Sequence, residues 1–299
     1  MSVASRYLSA WRQVWPPALL ILVLAIVLAP GHGVRGFVYA GVTAGGLLLW
    51  GSRVRTQTWE VARYVLGFAI FTTLRHLADD LGPAPWVTYP IRGDRALFGE
   101  VPTIALQHAF VTPGHWGALD YAAVSVYLSY FVVPPTALVL LWRYWPERLR
   151  RYVSATFILF GVSGIMHLVL PTAPPWLAAQ MGALPPVVPM LPLLMGDAVP
   201  HTYQAGMGLS GNLVAAMPSV HLGVTTLMLL ALWRTPLRWA AGAYLVAMSL
   251  AVVYTGDHYV VDVLAGMALA GVGWIMMAPR EQVGGSAVGD RGLLFREVE

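Results

Sequence analysis

Long apolar runs alternate with short polar connections along this chain, and that alternation predicts membrane-spanning helices rather than a soluble core. A helix needs about 20 apolar residues to cross ~30 Å of hydrocarbon. Runs of that kind lie near residues 14–30, 34–51, 58–77, 118–142, 151–170, 215–233, 237–254 and 258–278. The expected fold class is therefore all-α: a polytopic membrane helical bundle of about eight transmembrane helices with a six-helix core. Residues 1–57 are expected to form an N-terminal transmembrane hairpin about Pro30-Gly31-His32-Gly33, and residues 58–279 the main membrane domain. Residues 280–299, with Gly284-Gly285 and scattered charges, read as a disordered tail. The segment 78–117 is too polar to span, yet Ala96-Leu97-Phe98 and Ile104-Ala105-Leu106 are apolar, so it is expected to be a surface-lying or re-entrant lid. The segment from Pro171 to Leu213 is rich in proline, which lacks the N–H of a helix interior, and is expected to be ordered loop.

Composition agrees with the pattern. Hydrophobic residues make up 58% and charged residues 11%, with a mean hydropathy of +0.65, against roughly 25% charged in soluble domains. The formal charge of +4 does not point to nucleic acid, because all 18 basic residues are Arg and most sit in short loops between apolar runs. There they orient a membrane protein by the positive-inside rule. With the N-terminus inside, most arginines, among them Arg12, Arg53, Arg148, Arg151 and Arg238, share one side, and only Arg35, Arg75, Arg92 and Arg95 fall near the other. This expectation puts both termini in the cytoplasm. It puts segments 78–117 and 171–214 and the turn Thr255-Gly256-Asp257 on the outer face of the cytoplasmic membrane. Arg6 and Arg12 precede the first apolar run as in a signal peptide, but no convincing small-x-small cleavage site follows, and a retained first span is expected. The absence of Cys excludes disulfides and thiolate metal sites.

Two short motifs open apolar runs: Pro218-Ser219-Val220-His221, and later His258-Tyr259-Val260-Val261-Asp262. An Asp at the centre of a membrane helix costs roughly 2.5–3.5 kcal/mol on insertion scales, so such a group asks for a reason. Pro followed by Ser is a helix start with unspent backbone N–H groups, and such an N-terminus is a phosphate cradle. His221 then falls in the first turn, facing that cradle. His258 and Asp262 are four apart, hence on one face of the last span. Asp262 can accept the Nδ1 proton of His258, which fixes the tautomer and leaves Nε2 as a nucleophile; one His then attacks and the other protonates the leaving oxygen. Two other readings use the same residues: a hydrogen-bond network that only joins helices, and a zinc site, since His and Asp at this spacing ligate metal. No third ligand at comparable spacing is evident, so no metal and no cofactor is expected.

Pro-Ser-x-His followed by His-x-x-x-Asp resembles the type 2 phosphatidic acid phosphatase superfamily, whose members cleave phosphoesters through a phosphohistidine intermediate. The resemblance implies His258 as nucleophile, Asp262 as its orienter, His221 as general acid and then base, and Ser219 as a phosphate contact. Two family features are missing: the Lys of the basic motif, in a chain without Lys, and the Arg six places before the nucleophile, where Val252 stands. Pro171-Thr172-Ala173-Pro174-Pro175-Trp176 is similar to the proline-rich signature of the fungal inositol phosphorylceramide synthase branch, and Gly256 to Asp262 suits its last motif. The stretches Asp94 to Gln107 and Asn212 to His221 are similar to bacterial members of that branch, and the likeness covers roughly residues 70–275. It makes 58–279 a catalytic membrane domain. It implies an inositolphosphotransferase-like enzyme that takes a phosphoryl or phospho-head group from a lipid donor and passes it to an alcohol. With water as acceptor the same chemistry is that of a phosphatase, and a lipid phosphate transporter or flippase is the non-enzyme alternative.

A substrate phosphate needs cations. Arg75, beside His76 at the outer end of the third span, is the first candidate, followed by Arg92 and Arg95 in the lid. His167, four residues before Pro171, either touches substrate or is a satisfied buried His. Pro174 and Trp176 are expected to shape the pocket wall, and Asn212 to bind head group or cap its loop. Asp257 either caps the last helix or takes a catalytic part, and His108, His115 and His201 are expected in solvent. The expected partners are a phosphorylated lipid, an alcohol or water, and the bilayer.

Overall fold

The computed structural model describes residues 59–69, 71, 83–112, 114–198 and 214–278. The expected N-terminal hairpin and tail, together with Arg75, His201 and Asn212, lie outside these residues. Regular structure among the described residues is helical: α1 (59–69), α2 (Thr88–Phe98), α3 (Pro102–Phe110), α4 (Ala118–Leu128), α5 (Val133–Tyr144), α6 (Pro146–Val169), α7 (Pro175–Gln180), α8 (Met190–Ala198), α9 (Val220–Leu232), α10 (Arg238–Tyr254) and α11 (Val260–Met276).

α6 has 24 residues, about 36 Å at 1.5 Å per residue, enough to cross a bilayer. Pro146 opens it, at a position where a missing N–H is harmless. α4 and α5 form one apolar path bent by 42° through the 3₁₀ turn Ser129–Phe131. Pro134 and Pro135 follow the bend, and their missing donors prevent a continuous helix. The later helices are shorter than the apolar runs that predict them: α9 has 13 residues, and α10 and α11 have 17 each. Among the described residues one helix has full spanning length and composition, or two if the bent pair counts as one span. The shortening has a local cause. Residues before α9 are drawn into extended backbone pairing, where Thr172 N–H donates to Val214 O (2.6 Å) and Ala216 N–H to Thr172 O (3.1 Å). Residues before α11 fold back as a turn.

α9 is the hub of the bundle, packed against α5, α6, α10 and α11. Leu222, Val224, Leu227, Met228 and Ala231 are buried on it, as expected of a helix apolar on every face. α6 runs antiparallel to α9 and α11. At one end Arg148 donates to Ala231 O (3.1 Å), and Arg151 donates to Trp274 O from Nε and Nη2 (3.1 and 2.7 Å). At the other end the His167 ring lies 3.4 Å from Pro218 O. Cations at helix C-termini complement the helix dipole, so two arginines sorted by topology also close the ends of α9 and α11. The C-terminus of α6 and the N-termini of α9 and α11 therefore share one end of the bundle.

The expected lid consists of α2, packed on α11, and α3, packed on α10. The proline-rich stretch departs from expectation, because it contains α7 and α8 rather than loop alone. Pro175 stands in the first turn of α7, where its ring favours a helix start.

Candidate active site

Ser219 is the N-cap of α9, and its Oγ accepts from Leu222 N–H at 3.5 Å. It is fully buried. His221 is the second residue of α9, half-buried, with its backbone carbonyl accepting from Thr225 Oγ1 (2.7 Å). Its ring is held between Tyr127 and Tyr130, at centroid distances of 4.7 and 4.5 Å.

The second motif sits on a turn between α10 and α11. Gly256 has φ +86°, and a β-carbon there would also meet Val187 at 3.0 Å, so glycine suits the position on both counts. The carbonyl of Val252 accepts from the N–H groups of Asp257 (3.2 Å) and His258 (3.1 Å). Asp257 Oδ2 accepts from Thr255 Oγ1 (2.7 Å), and the N-cap of α11 is Tyr259. Asp257 is thus a turn residue rather than the helix cap. His258 precedes the helix instead of lying on it, because Asp262 in the first turn accepts from Tyr259 N–H through Oδ2 (2.9 Å).

This turn brings the two motifs together. Nδ1 of His221 lies 3.3 Å from Nε2 of His258, and Nδ1 of His258 lies 3.6 Å from Oδ2 of Asp262. The second separation exceeds a hydrogen bond, and such contacts commonly tighten only when substrate binds. His258 is 5% exposed and Asp262 fully buried. With a proton on His258 Nδ1, drawn by Asp262, Nε2 carries a lone pair and His221 must donate from Nδ1. The file of carboxylate, imidazole and imidazole can therefore hold one basic and one acidic nitrogen face to face. The two elements are also joined by backbone: Ser219 N–H donates to Asp262 O at 3.0 Å. They approach closely because residue 266 is glycine; a β-carbon there would stand 2.1 Å from Ser219 O.

The proline-rich motif borders the same end. Trp176 N–H donates to Gly256 O (3.2 Å), and Thr172 pairs with the segments at Trp86 and Ala215. Tyr89 and Thr172 Oγ1 are hydrogen-bonded. Pro174 is buried and Trp176 half-buried. His167 is buried, with its ring against Phe71 and near Pro218 O. Arg92 and Arg95 are exposed on α2. Among the described residues no group of three or more His, Asp or Glu side chains converges as a metal site.

Four contributors had no role in the sequence reading, although the stretch Asp94 to Gln107 carried part of the resemblance. Tyr127 and Tyr130 are spaced like ordinary core aromatics. Asp94 is buried on α2 and accepts from Val260 N–H through Oδ2 (3.1 Å) and from Val261 N–H through Oδ1 (3.0 Å). Burial pushes its carboxyl up to about 6, although both N–H groups pull it down; Asp262 adds to the rise. Gln107 donates to Val188 O (3.0 Å) and Tyr254 O (2.9 Å) and accepts from Val188 N–H (2.8 Å).

Among the described residues an apolar helical bundle carries two histidines and a carboxylate at one end. The PAP2 superfamily profile matches residues 91–276, and the chain belongs to that superfamily. Within it the chain is similar to the bacterial inositol phosphorylceramide synthase-like branch. Phosphoinositol dihydroceramide synthase of Bacteroides thetaiotaomicron is 25% identical over 205 residues, 61% of this chain and 64% of the relative. The chain thus covers less than two thirds of that relative's own length. No solved structure matches the chain.

Proposed function

We propose that this protein is an integral membrane lipid phosphotransferase of the inositolphosphotransferase-like kind, working through a phosphohistidine. The observation that carries the proposal is the contact of His221 Nδ1 with His258 Nε2, with Asp262 at the other nitrogen of His258. His258 Nε2 attacks phosphorus of the lipid donor, the P–O bond to the donor alcohol breaks, and His221 gives that oxygen a proton. His221 then takes the proton of an acceptor hydroxyl, whose oxygen attacks phosphorus and breaks the P–N bond. Both histidines return to their starting states, and no metal enters the cycle. The rings stand too close to admit phosphorus between them, so substrate entry parts the pair.

The substrate phosphate is assigned to Ser219 at the N-terminus of α9 on the strength of the family likeness; at the start of α11 the N–H groups of residues 259–261 are taken by Asp262 and Asp94. Arg75, Arg92 and Arg95 supply cations, Asn212 contacts the head group, and Pro174 and Trp176 wall the site. His167 supports the site through Pro218. The site faces the outer side of the cytoplasmic membrane, with both termini inside. An alcohol acceptor is supported by the relative's name, a synthase of phosphoinositol dihydroceramide. It is also supported by a covered site, since ~55 M water must be excluded for transfer to win.

The test is covalent trapping. Purified protein is incubated with phosphorus-labelled lipid donors in EDTA and quenched in alkali, which preserves phosphohistidine. Label in the wild type and in His221→Ala, but not in His258→Ala, supports the reading. Absence of label with every donor, while those lipids still bind, overturns it in favour of transport. Adding alcohols to labelled enzyme then separates transfer from hydrolysis by product.

A further inference from the structure

The turn that carries His258 is gripped at both ends by side chains of the lid. On the upstream side, Gln107 of α3 donates to Tyr254 O, the last residue of α10. On the downstream side, Asp94 of α2 accepts the N–H groups of Val260 and Val261, the first two residues of α11. Residues 255–259 lie between these grips. Asp94 is fully buried, and Gln107 is 5% exposed. A buried carboxylate with two backbone donors is a strong, directional anchor. Gln107 uses both ends of its amide at once, since it also exchanges hydrogen bonds with Val188 of the proline-rich segment.

We infer that Asp94 and Gln107 are positioning residues: the lid sets the orientation of the His258 ring toward His221 by fixing both ends of its turn. The inference rests on the proposed phosphotransfer for its catalytic consequence, but not for its geometry. Neither residue touches the reacting atoms. Asp94 acts through Val260 and Val261, which lie between His258 and Asp262, so loss of the anchor frees the first turn of α11. The lid that excludes water is then the same element that assembles the nucleophile, and an undocked lid leaves His258 misaligned. A misplacement near 1 Å costs roughly 100-fold in rate.

The test compares Asp94→Ala, Asp94→Asn and Gln107→Ala with wild type, using the exposed lid variant Glu100→Gln as a matched control. The imidazole nitrogen resonances of His221 and His258 are recorded in detergent, assigned by single substitution, alongside kcat and KM. In Asp94→Ala both sets of resonances are expected to move and kcat to fall roughly 10- to 100-fold with little change in KM. Asp94→Asn keeps one acceptor oxygen and should fall between, Gln107→Ala should move the same signals, and Glu100→Gln should match wild type. Should Asp94→Ala fail to fold, Asp94→Asn carries the comparison. Unmoved resonances in the folded Asp94 variants overturn the inference whatever the activity, as do moved resonances with unchanged kcat. Moved resonances in a protein whose wild type forms no phosphohistidine uphold the positioning and remove the phosphotransfer reading instead.

Discussion

Gly266 lies directly under Ser219, so close that a β-carbon at 266 would stand 2.1 Å from the Ser219 carbonyl oxygen. That approach lets α11 meet the start of α9 and brings the Asp262 carbonyl to the Ser219 N–H. Gly266→Ala must push the two helices apart, since the obstacle is backbone and cannot rotate away. We expect a loss of about 1–3 kcal/mol from overpacking and a larger fall in activity, because the displacement separates His258 from His221. Thermal unfolding in detergent checks the first point, and an Ala variant with wild-type melting and turnover would refute the packing argument.

Asp262 is buried and bonds the Tyr259 N–H while facing His258 Nδ1. Asp262→Asn keeps the shape but removes the charge that favours a proton on Nδ1. Turnover should fall by roughly 10²–10⁴-fold, with lipid binding retained. Steady-state kinetics and lipid retention on the same preparation test this; a change confined to KM would assign Asp262 to binding.

Asp94 predicts a pH effect on stability. Burial lifts its folded value from 3.8 to about 6, so the folded state holds the proton more tightly than the unfolded chain does. Its contribution to stability is then fully present below about pH 4 and is lost as pH rises through about 6. Asp94→Asn should flatten that part of the profile. Melting temperatures of both proteins across this window decide the matter: an undiminished slope in the Asn variant would assign it to another group.

Arg151 donates twice to Trp274 O and lies over the Trp274 ring, at the end of the bundle remote from the histidines. Arg151→Ala should cost about 1 kcal/mol through the lost helix-end and cation–π contacts and leave kcat unchanged. A melting curve paired with kinetics tests both halves; reduced kcat in a stable variant would reveal coupling between the two ends.

Much of this molecule was legible without coordinates. Hydropathy and helix rise are local properties, so each apolar run from 58 onward holds a described helix, 118–142 as a bent pair, while α2, α3, α7 and α8 lie between runs; both histidine motifs fall at one end. The nearness of His258 to Asp262 was expected from helical spacing, but His258 stands on the turn before α11 and approaches Asp262 from there, at 3.6 Å. The limits of α9 and α11 were legible only in part: Pro218-Ser219 marked a helix start and Thr255-Gly256-Asp257 a turn, but the backbone pairing of Ala216 with Thr172 and of His258 with Val252 had no signal in the sequence.

Tertiary structure alone decided how the motifs are held. Asp94 closes the N-terminus of a helix 166 residues away, where a local cap would have left a recognisable signature. Gln107 reaches Tyr254, Tyr127 and Tyr130 enclose His221, and Gly266 admits Ser219. Each depends on which helix faces meet and how closely, and that is set by packing across the bundle, which no local pattern of residue types encodes.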